Sequence, residues 1–264
     1  MQKTGFIGFG NMAKALAEGF LASGKIKEEE LFAYAPHAEK LKENCGRIGV
    51  QAAGSLEELI REASLLIMAC KPFQVRDVLK EADAFLKDRA LVSIAAGWDH
   101  EMYEYLLGRA VRIQCIMPNT PAMVREGVFL FEETNSLKEE ERRELVELFS
   151  SIGIVQELPT ERMGIGGALT GCGPAFVDML VEAYGDAAVK YGIKREDAYR
   201  LVSQMVLGSA KLLLETGKHP GVLKDEVCSP AGTTIAGVSA LEEAGFRSAC
   251  IRSIDAIMQK KKDG

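Results

Sequence analysis

The first thirteen residues leave this chain few folds to choose from. Residues 4–10 read TGFIGFG, a short apolar run that ends in glycines, and NMAKALAEGFLASG follows at once. In that second stretch Met12, Ala15, Leu16, Phe20 and Leu21 recur at helical spacing, Asn11 is placed to cap the helix, and Gly24 to close it. The junction Gly8-Phe9-Gly10-Asn11-Met12-Ala13 is G-x-G-x-x-A between a strand and a helix. Each small residue has a task there. Gly8 permits the tight turn, Gly10 lets a pyrophosphate reach the backbone, and Ala13 lets helix and strand pack closely. The helix start adds unpaired N–H groups and the positive end of its dipole. The pattern predicts a dinucleotide site with Gly8, Phe9, Gly10, Asn11 and Met12 along it.

The following pattern agrees. LFAYA (31–35), SLLIMAC (64–70), ALVSIAA (90–96) and VRIQCIM (111–117) read as strands, and helical stretches fall near 38–46 and at 55–63 behind Ser55. Such alternation predicts an α/β fold, a Rossmann-type doubly wound parallel sheet. GVFLFEE (127–133) and GIVQELP (153–159) extend it around a charged helix at 137–151. After Pro159 the strand-like runs stop. Pro174 is expected to open a helix at its first position. Phe176, Val177, Met179, Leu180, Tyr184 and Val189 then leave that helix apolar nearly all round, so it must be buried in its own domain or against another chain. Further helices are expected at about 195–216, 231–244 and 246–260. The division falls near residue 160: a dinucleotide domain over 1–160 and an all-helical domain over 161–264.

Composition removes several other classes. The net charge of −6 disfavours a nucleic-acid surface. Cys45, Cys70, Cys115, Cys172, Cys228 and Cys250 lie too far apart for a C-x-x-C pair, and His37, His100 and His219 form no i, i+4 pair, so no metal site is expected. No secretory leader opens the chain, and no apolar run is read as reaching the ~20 residues of a membrane span. A soluble, cytoplasmic protein with reduced thiols is the expectation. Lys260–Lys262 reads as a solvated helix end.

An NAD site usually carries an acid at the end of its second strand, about 20 residues after the glycines. Here that strand ends Tyr34-Ala35-Pro36-His37, with Lys40 just beyond. The missing acid and nearby bases lean toward NADPH, with NADH left open and His37 and Lys40 equally readable as ordinary exposed residues. Ala69-Cys70-Lys71-Pro72 and Ala95-Ala96-Gly97 should border the same crevice, since ligands of such sheets sit at the carboxyl ends of strands. Lys71 reads as a cofactor contact or a loop cap, and Cys70 as a buried small residue.

Three later stretches are unlike ordinary helix and loop: Met117-Pro118-Asn119-Thr120-Pro121, Leu169-Thr170-Gly171-Cys172-Gly173-Pro174-Ala175-Phe176, and the run VCSPAGTTIAGVSAL from Val227 to Leu241. The last places Ser, Thr and Gly where a helix begins, which is an anion-binding arrangement. Backbone N–H groups near Gly232 to Thr234 would hold a carboxylate, the other reading being an elaborate cap for a buried helix. With GFIGFGNMA and ACKP, these stretches make the whole chain similar to the pyrroline-5-carboxylate reductase family. The resemblance implies reduction of L-1-pyrroline-5-carboxylate to L-proline with NAD(P)H. It implies a substrate loop at Ser229, Gly232, Thr233 and Thr234, with Thr234 hydrogen-bonded to the ring nitrogen and thus the catalytic candidate. It also implies Asn119, Lys71 and Ala95 to Gly97 at the cofactor rim, and a homodimer through the C-terminal helices that often assembles into a decamer. Cys172 and Cys228 stand where that family often has serine. Two rivals remain. A β-hydroxyacid dehydrogenase would carry a lysine a turn into the helix after its Gly-rich stretch, where this chain reads Phe176-Val177-Asp178-Met179. A non-catalytic NADP(H) sensor would not need the loop from Ser229 to Thr234.

Overall fold

The structure, a computed structural model, describes Lys3–Asp263, the side chains of Ala110, Lys262 and Asp263 excepted, so part of the basic end lies outside the described residues. The chain forms two compact units that divide at Gly171/Cys172. In the first unit the elements run β1 (Thr4–Ile7), α1 (Asn11–Ser23), β2 (Leu31–Tyr34), α2 (Ala38–Ile48), β3 (Gln51–Ala52), α3 (Leu56–Glu62) and β4 (Leu65–Met68). They continue α4 (Val75–Leu86), β5 (Ala90–Ser93), α5 (His100–Leu107), β6 (Arg112–Met117), β7 (Gly127–Asn135), α6 (Glu139–Ser150) and β8 (Gly153–Leu158). The sheet order is β3-β2-β1-β4-β5-β6-β7-β8. Its first six strands follow the doubly wound order 3-2-1-4-5-6.

All neighbours are parallel except β6 and β7, which run antiparallel. The exception has a simple cause. Residues 118–126 alone join Met117 to Gly127, fewer than the dozen or more that a parallel crossover needs. The central strands are apolar on both faces because helices cover both. On one side Phe6, Ile67, Val92 and Ile116 pack with Leu16 and Phe20 of α1 and Phe149 of α6. On the other Ile7, Leu66, Leu91 and Ile113 pack with Leu59, Leu79 and Tyr103. Phe149 knits the first layer, meeting Phe20, Phe129 and Phe131 edge-on at 5.4, 4.9 and 5.6 Å.

Helix α7 (Thr160–Lys190) corrects one expectation. Pro174 does not begin a helix but lies inside one of 31 residues. A proline there has no N–H for the carbonyl four residues back, that of Thr170. Asn119 supplies the missing donor: its Nδ2 donates to Thr170 O at 3.1 Å. Gly166 and Gly167 let the helix lie close to the sheet, since a Cβ at Gly167 would overlap Met117 Sδ and one at Gly166 would come within 2.7 Å of Leu130 and Leu158. The uninterrupted helix also overturns the reading that no run is long enough to span a membrane, because α7 meets that test of length and composition.

The second unit holds the rest of α7 and α8 (Arg195–Thr216), α9 (Pro220–Glu226), α10 (Thr233–Glu243) and α11 (Phe246–Asp263). Helix α9, opened by Pro220 behind a His219 cap, was not expected from the sequence. Among the described residues of this unit Ala198 is the one buried apolar side chain, whereas Met179, Leu214, Val227 and Ile251 are each more than 60% exposed. So much bare apolar surface marks an interface rather than a finished core.

A buried carboxylate ties the front of α7 to the sheet. Glu132 of β7 is 1% exposed. Its Oε2 accepts the His100 backbone N–H at 2.9 Å and its Oε1 accepts the Thr160 hydroxyl at 2.6 Å. Those donors are the first residues of α5 and α7, whose dipoles favour an anion. Burial, with Glu132 beside it, holds the Cys115 thiol far above its ordinary range, so it stays protonated. Removal of this acceptor by Glu132→Ala orphans two donors and is expected to lower unfolding free energy by about 1–3 kcal/mol, read by urea denaturation.

Candidate cofactor and substrate sites

The carboxyl ends of β2, β1, β4 and β5 lie in register, with Ile7 opposite both Tyr34 and Met68, and Met68 opposite Ser93. Backbone hydrogen bonds continue past the strands: Gly8 N to Tyr34 O at 2.8 Å, Ala69 N to Ile7 O at 2.8 Å and Ile94 N to Met68 O at 3.0 Å. The strand order reverses at β1, which makes this end the crevice where such sheets bind ligands. Gly8 has φ +92°, and a Cβ there would stand 2.7 Å from Cys70 N and 2.8 Å from Cys70 Cα. Only glycine satisfies both the backbone angle and the approach of β4.

Gly10 serves differently. It is the N-cap of α1 with extended backbone and no side-chain cap, and a Cβ there would meet no atom within 4 Å. The space beside it is open, at a helix start with no acidic residue in its first turn, the kind of N-terminus that favours a phosphate. Asn11 is exposed and Met12 half-buried at the rim. Phe9 turns the other way, joining the core 7% exposed with its ring 5.9 Å from Phe6, so it could offer a ligand its backbone alone.

The loop after β4 puts Lys71 at the surface, its backbone N–H donating to Gln74 Oε1 at 3.2 Å. Cys70 is half-buried with its thiol 3.4 Å from Met68 Sδ, and burial pushes it up to about 11. It is a protonated packing group near neutral pH, not a nucleophile. After β5, Ala95 is buried whereas Ala96 and Gly97 are exposed, Gly97 at φ +78°. Asn119 is committed inward: besides Thr170 O, its Oδ1 accepts Val128 N–H at 2.8 Å, and it is 7% exposed. At the end of β2, His37 precedes α2 and, like Lys40, is exposed.

In the second unit the loop from Ser229 to Thr234 is a tight turn. Gly232 N donates to Ser229 O at 3.0 Å, and a Cβ on Gly232 would overlap Ser229 Oγ. Ala231 adopts φ +56°, an unusual angle for a residue with a side chain. Gly232 caps α10 without a side-chain bond, and no acid occupies the first turn, so the helix start faces outward bare. Ser229, Thr233 and Thr234 are exposed. A bare helix start with hydroxyls around it is an arrangement that favours an anion. Cys228 is half-buried beside it, and Cys172 half-buried on α7.

A doubly wound sheet with a glycine turn at its switch point, joined to a helical unit with a bare polar helix start, defines a dinucleotide-dependent oxidoreductase. Comparison with known proteins then shows the particular family. The model for pyrroline-5-carboxylate reductase dimerisation matches residues 160–263, and one for NADP oxidoreductases, coenzyme F420-dependent, matches residues 3–97. The pyrroline-5-carboxylate reductase of Escherichia coli is 39% identical over 99% of this chain and 97% of its own length. That of Treponema pallidum is 38% identical over 96% and 98%. The crystal structure of the Plasmodium falciparum pyrroline carboxylate reductase with NADP bound superposes with TM-score 0.89 at 32% identity, covering 99% of this chain and 97% of that one. This chain belongs to the pyrroline-5-carboxylate reductase family. A 3-hydroxyisobutyrate dehydrogenase of Mycobacterium tuberculosis, 14% identical with TM-score 0.53, shares the fold alone.

The two glycines of the turn should separate by experiment. Gly8→Ala meets backbone and is expected to lower stability by about 1–3 kcal/mol. Gly10→Ser enters open space and restores a good cap, so its Tm should stay within a few degrees of wild type, while its dissociation constant for NADPH rises ~10-fold or more.

Proposed function

We propose that this protein reduces L-1-pyrroline-5-carboxylate to L-proline with NADPH, NADH serving less well. The observation that carries this reading is the full-length match to reductases of that name, with both glycines of the turn and the whole loop from Ser229 to Thr234 in place. Residues 1–160 form the cofactor domain and residues 161–264 the substrate and dimerisation domain in this reading.

When bound, the reduced nicotinamide supplies a hydride to the C=N carbon. The ring nitrogen receives a proton, and a protonated imine brings that proton itself, so the chain needs no strong general acid. This accords with a substrate loop that carries hydroxyls and N–H groups but no His or Lys between Cys228 and Thr234. Backbone N–H groups at the start of α10 would hold the substrate carboxylate, and the Thr234 hydroxyl would hydrogen-bond the ring nitrogen. Gly8, Phe9, Gly10, Asn11 and Met12 would present backbone to the pyrophosphate. Ala69 to Pro72 and Ala95 to Gly97 would border the dinucleotide. Asn119 acts in our reading by holding the turn after β6 against α7, since both ends of its amide are occupied within the protein. His37 and Lys40 are free to face the extra phosphate of NADPH. Orientation of two bound molecules is worth up to roughly 7–11 kcal/mol in favourable cases, which leaves little for acid–base chemistry to add.

We assign the exposed apolar faces of α7, α8, α10 and α11 to a homodimer, with a decamer as the larger assembly. The family model for dimerisation covers all of these helices and supports protein, rather than lipid, as their cover. Six free cysteines and no disulfide support a cytoplasmic location.

Three outcomes are expected. NADPH oxidation should proceed with pyrroline-5-carboxylate, and no NADP reduction should occur with 3-hydroxyisobutyrate. NADPH binding without turnover on either would support a sensor instead. Thr234→Ala should lower kcat/KM ~10-fold or more, and kinetics within twofold of wild type would remove Thr234 from the mechanism. Native mass by light scattering should be a multiple of the dimer, and Tm should fall on dilution because folding of the helical unit is coupled to association.

A further inference from the structure

The loops that leave β4 and β5 are joined by one side chain. Trp98, the single tryptophan of the chain, directly follows Gly97. Its indole N–H crosses to the β4 loop and donates to Pro72 O at 3.0 Å. Its backbone N–H donates to Ala95 O at 3.3 Å, closing the turn through the exposed Ala96 and Gly97. The ring lies 5.1 Å from that of Tyr103, and the Arg76 guanidinium sits 5.5 Å from its centroid. Tyr103 is itself anchored. It is fully buried, and its hydroxyl shares a 2.7 Å hydrogen bond with Ser93 Oγ, which also accepts Ala95 N–H at 3.2 Å. A continuous path therefore runs from Arg76 of α4, through Trp98 and Tyr103, back to the end of β5.

We propose that Trp98 is a positioning residue for the cofactor, clamping the segments Lys71-Pro72 and Ala95-Ala96-Gly97 at a fixed separation across the crevice. The proposal rests on the cofactor placement argued above. The physical reason is preorganisation. Ala96 and Gly97 have no side chains to anchor them, and Gly97 at φ +78° has space where a Cβ would be. Without a tie, both loops would lose conformational freedom when a dinucleotide binds, and affinity would fall by that amount. Trp98 acts through backbone atoms of the two loops, so its effect belongs to binding of the cofactor rather than to the hydride step. Arg76 covers the indole and contributes through a cation–π contact of the kind that strengthens when shielded from water.

The experiment is steady-state kinetics on the full-length enzyme, with NADPH and pyrroline-5-carboxylate varied separately. Trp98→Ala should raise the KM for NADPH ~10-fold, with kcat and the KM for pyrroline-5-carboxylate within about twofold of wild type. Trp98→Phe keeps an aromatic ring for Tyr103 and Arg76 and loses the N–H together with the five-membered ring of the indole, so it should raise the KM for NADPH by a smaller factor, about threefold. If Trp98→Ala does not fold, Trp98→Phe decides alone. An unchanged KM for NADPH in the folded Trp98 variants overturns the clamp, as does a loss that falls on kcat instead. Gly10→Ser, measured alongside, separates the two ideas. If it raises the KM for NADPH while the Trp98 variants do not, the cofactor site stands and the clamp fails. If none of these variants moves that KM, the cofactor site itself is misplaced.

Discussion

The contact on which this structure turns is that of Gly8 against the end of β4. With no side chain and a positive φ, Gly8 lets β1 turn into α1 directly beneath Cys70, so the two central strands end at one level. The crevice, the bare start of α1 and the open space at Gly10 all follow from that approach. A methyl group there would push β4 away or turn α1 aside, and the arrangement at Gly10 would be lost with it. Two absent side chains shape this end of the sheet, one needed for the fold and the other, in our proposal, for the ligand.

The second unit states the opposite problem. Its helices form well, yet they bury almost nothing in a single chain. Helix formation satisfies the backbone, but stability needs apolar surface removed from water, and that surface is on offer to another molecule. The loop from Ser229 to Thr234 at the start of α10, which we assign to the substrate, thereby depends on assembly for its setting, since the element that displays it has no core of its own. Proline 174 inside α7 fits the same economy. The carbonyl it leaves unpaired is taken by Asn119, so the rigid turn after β6 and the long helix are locked together by one amide.

The strands were legible because the pattern of apolar residues is strong: runs such as Leu65–Met68 and Ala90–Ser93 are buried on both faces and have no other reading. The glycine turn was legible because spacing alone reports the need for small residues. Less visible were features in which a residue serves against its local preference. Pro174 read as a helix start because its helix-breaking chemistry is local, while the donor that rescues the Thr170 carbonyl, Asn119, lies 51 residues before that carbonyl. Glu132 has nothing in the run GVFLFEE to single it out, although it is buried between two helix starts. The clamp of Trp98 left no signal either, since its partners Pro72, Arg76 and Tyr103 have no common spacing with it.

By itself the sequence determined the α/β architecture, the two-part organisation, the dinucleotide turn and the polar run from Ser229 to Thr234. All of these are written in nearest-neighbour chemistry: periodicity, small residues at fixed offsets, and hydroxyls at a helix start. Only the tertiary structure decided which candidate residues face the crevice and which serve the frame. Phe9 went to the core, Asn119 to α7 and Cys70 to a packing contact, while Gly10 was left open. Those assignments depend on which distant segments arrive beside each residue, and a linear chain carries that information only through the packing of the whole.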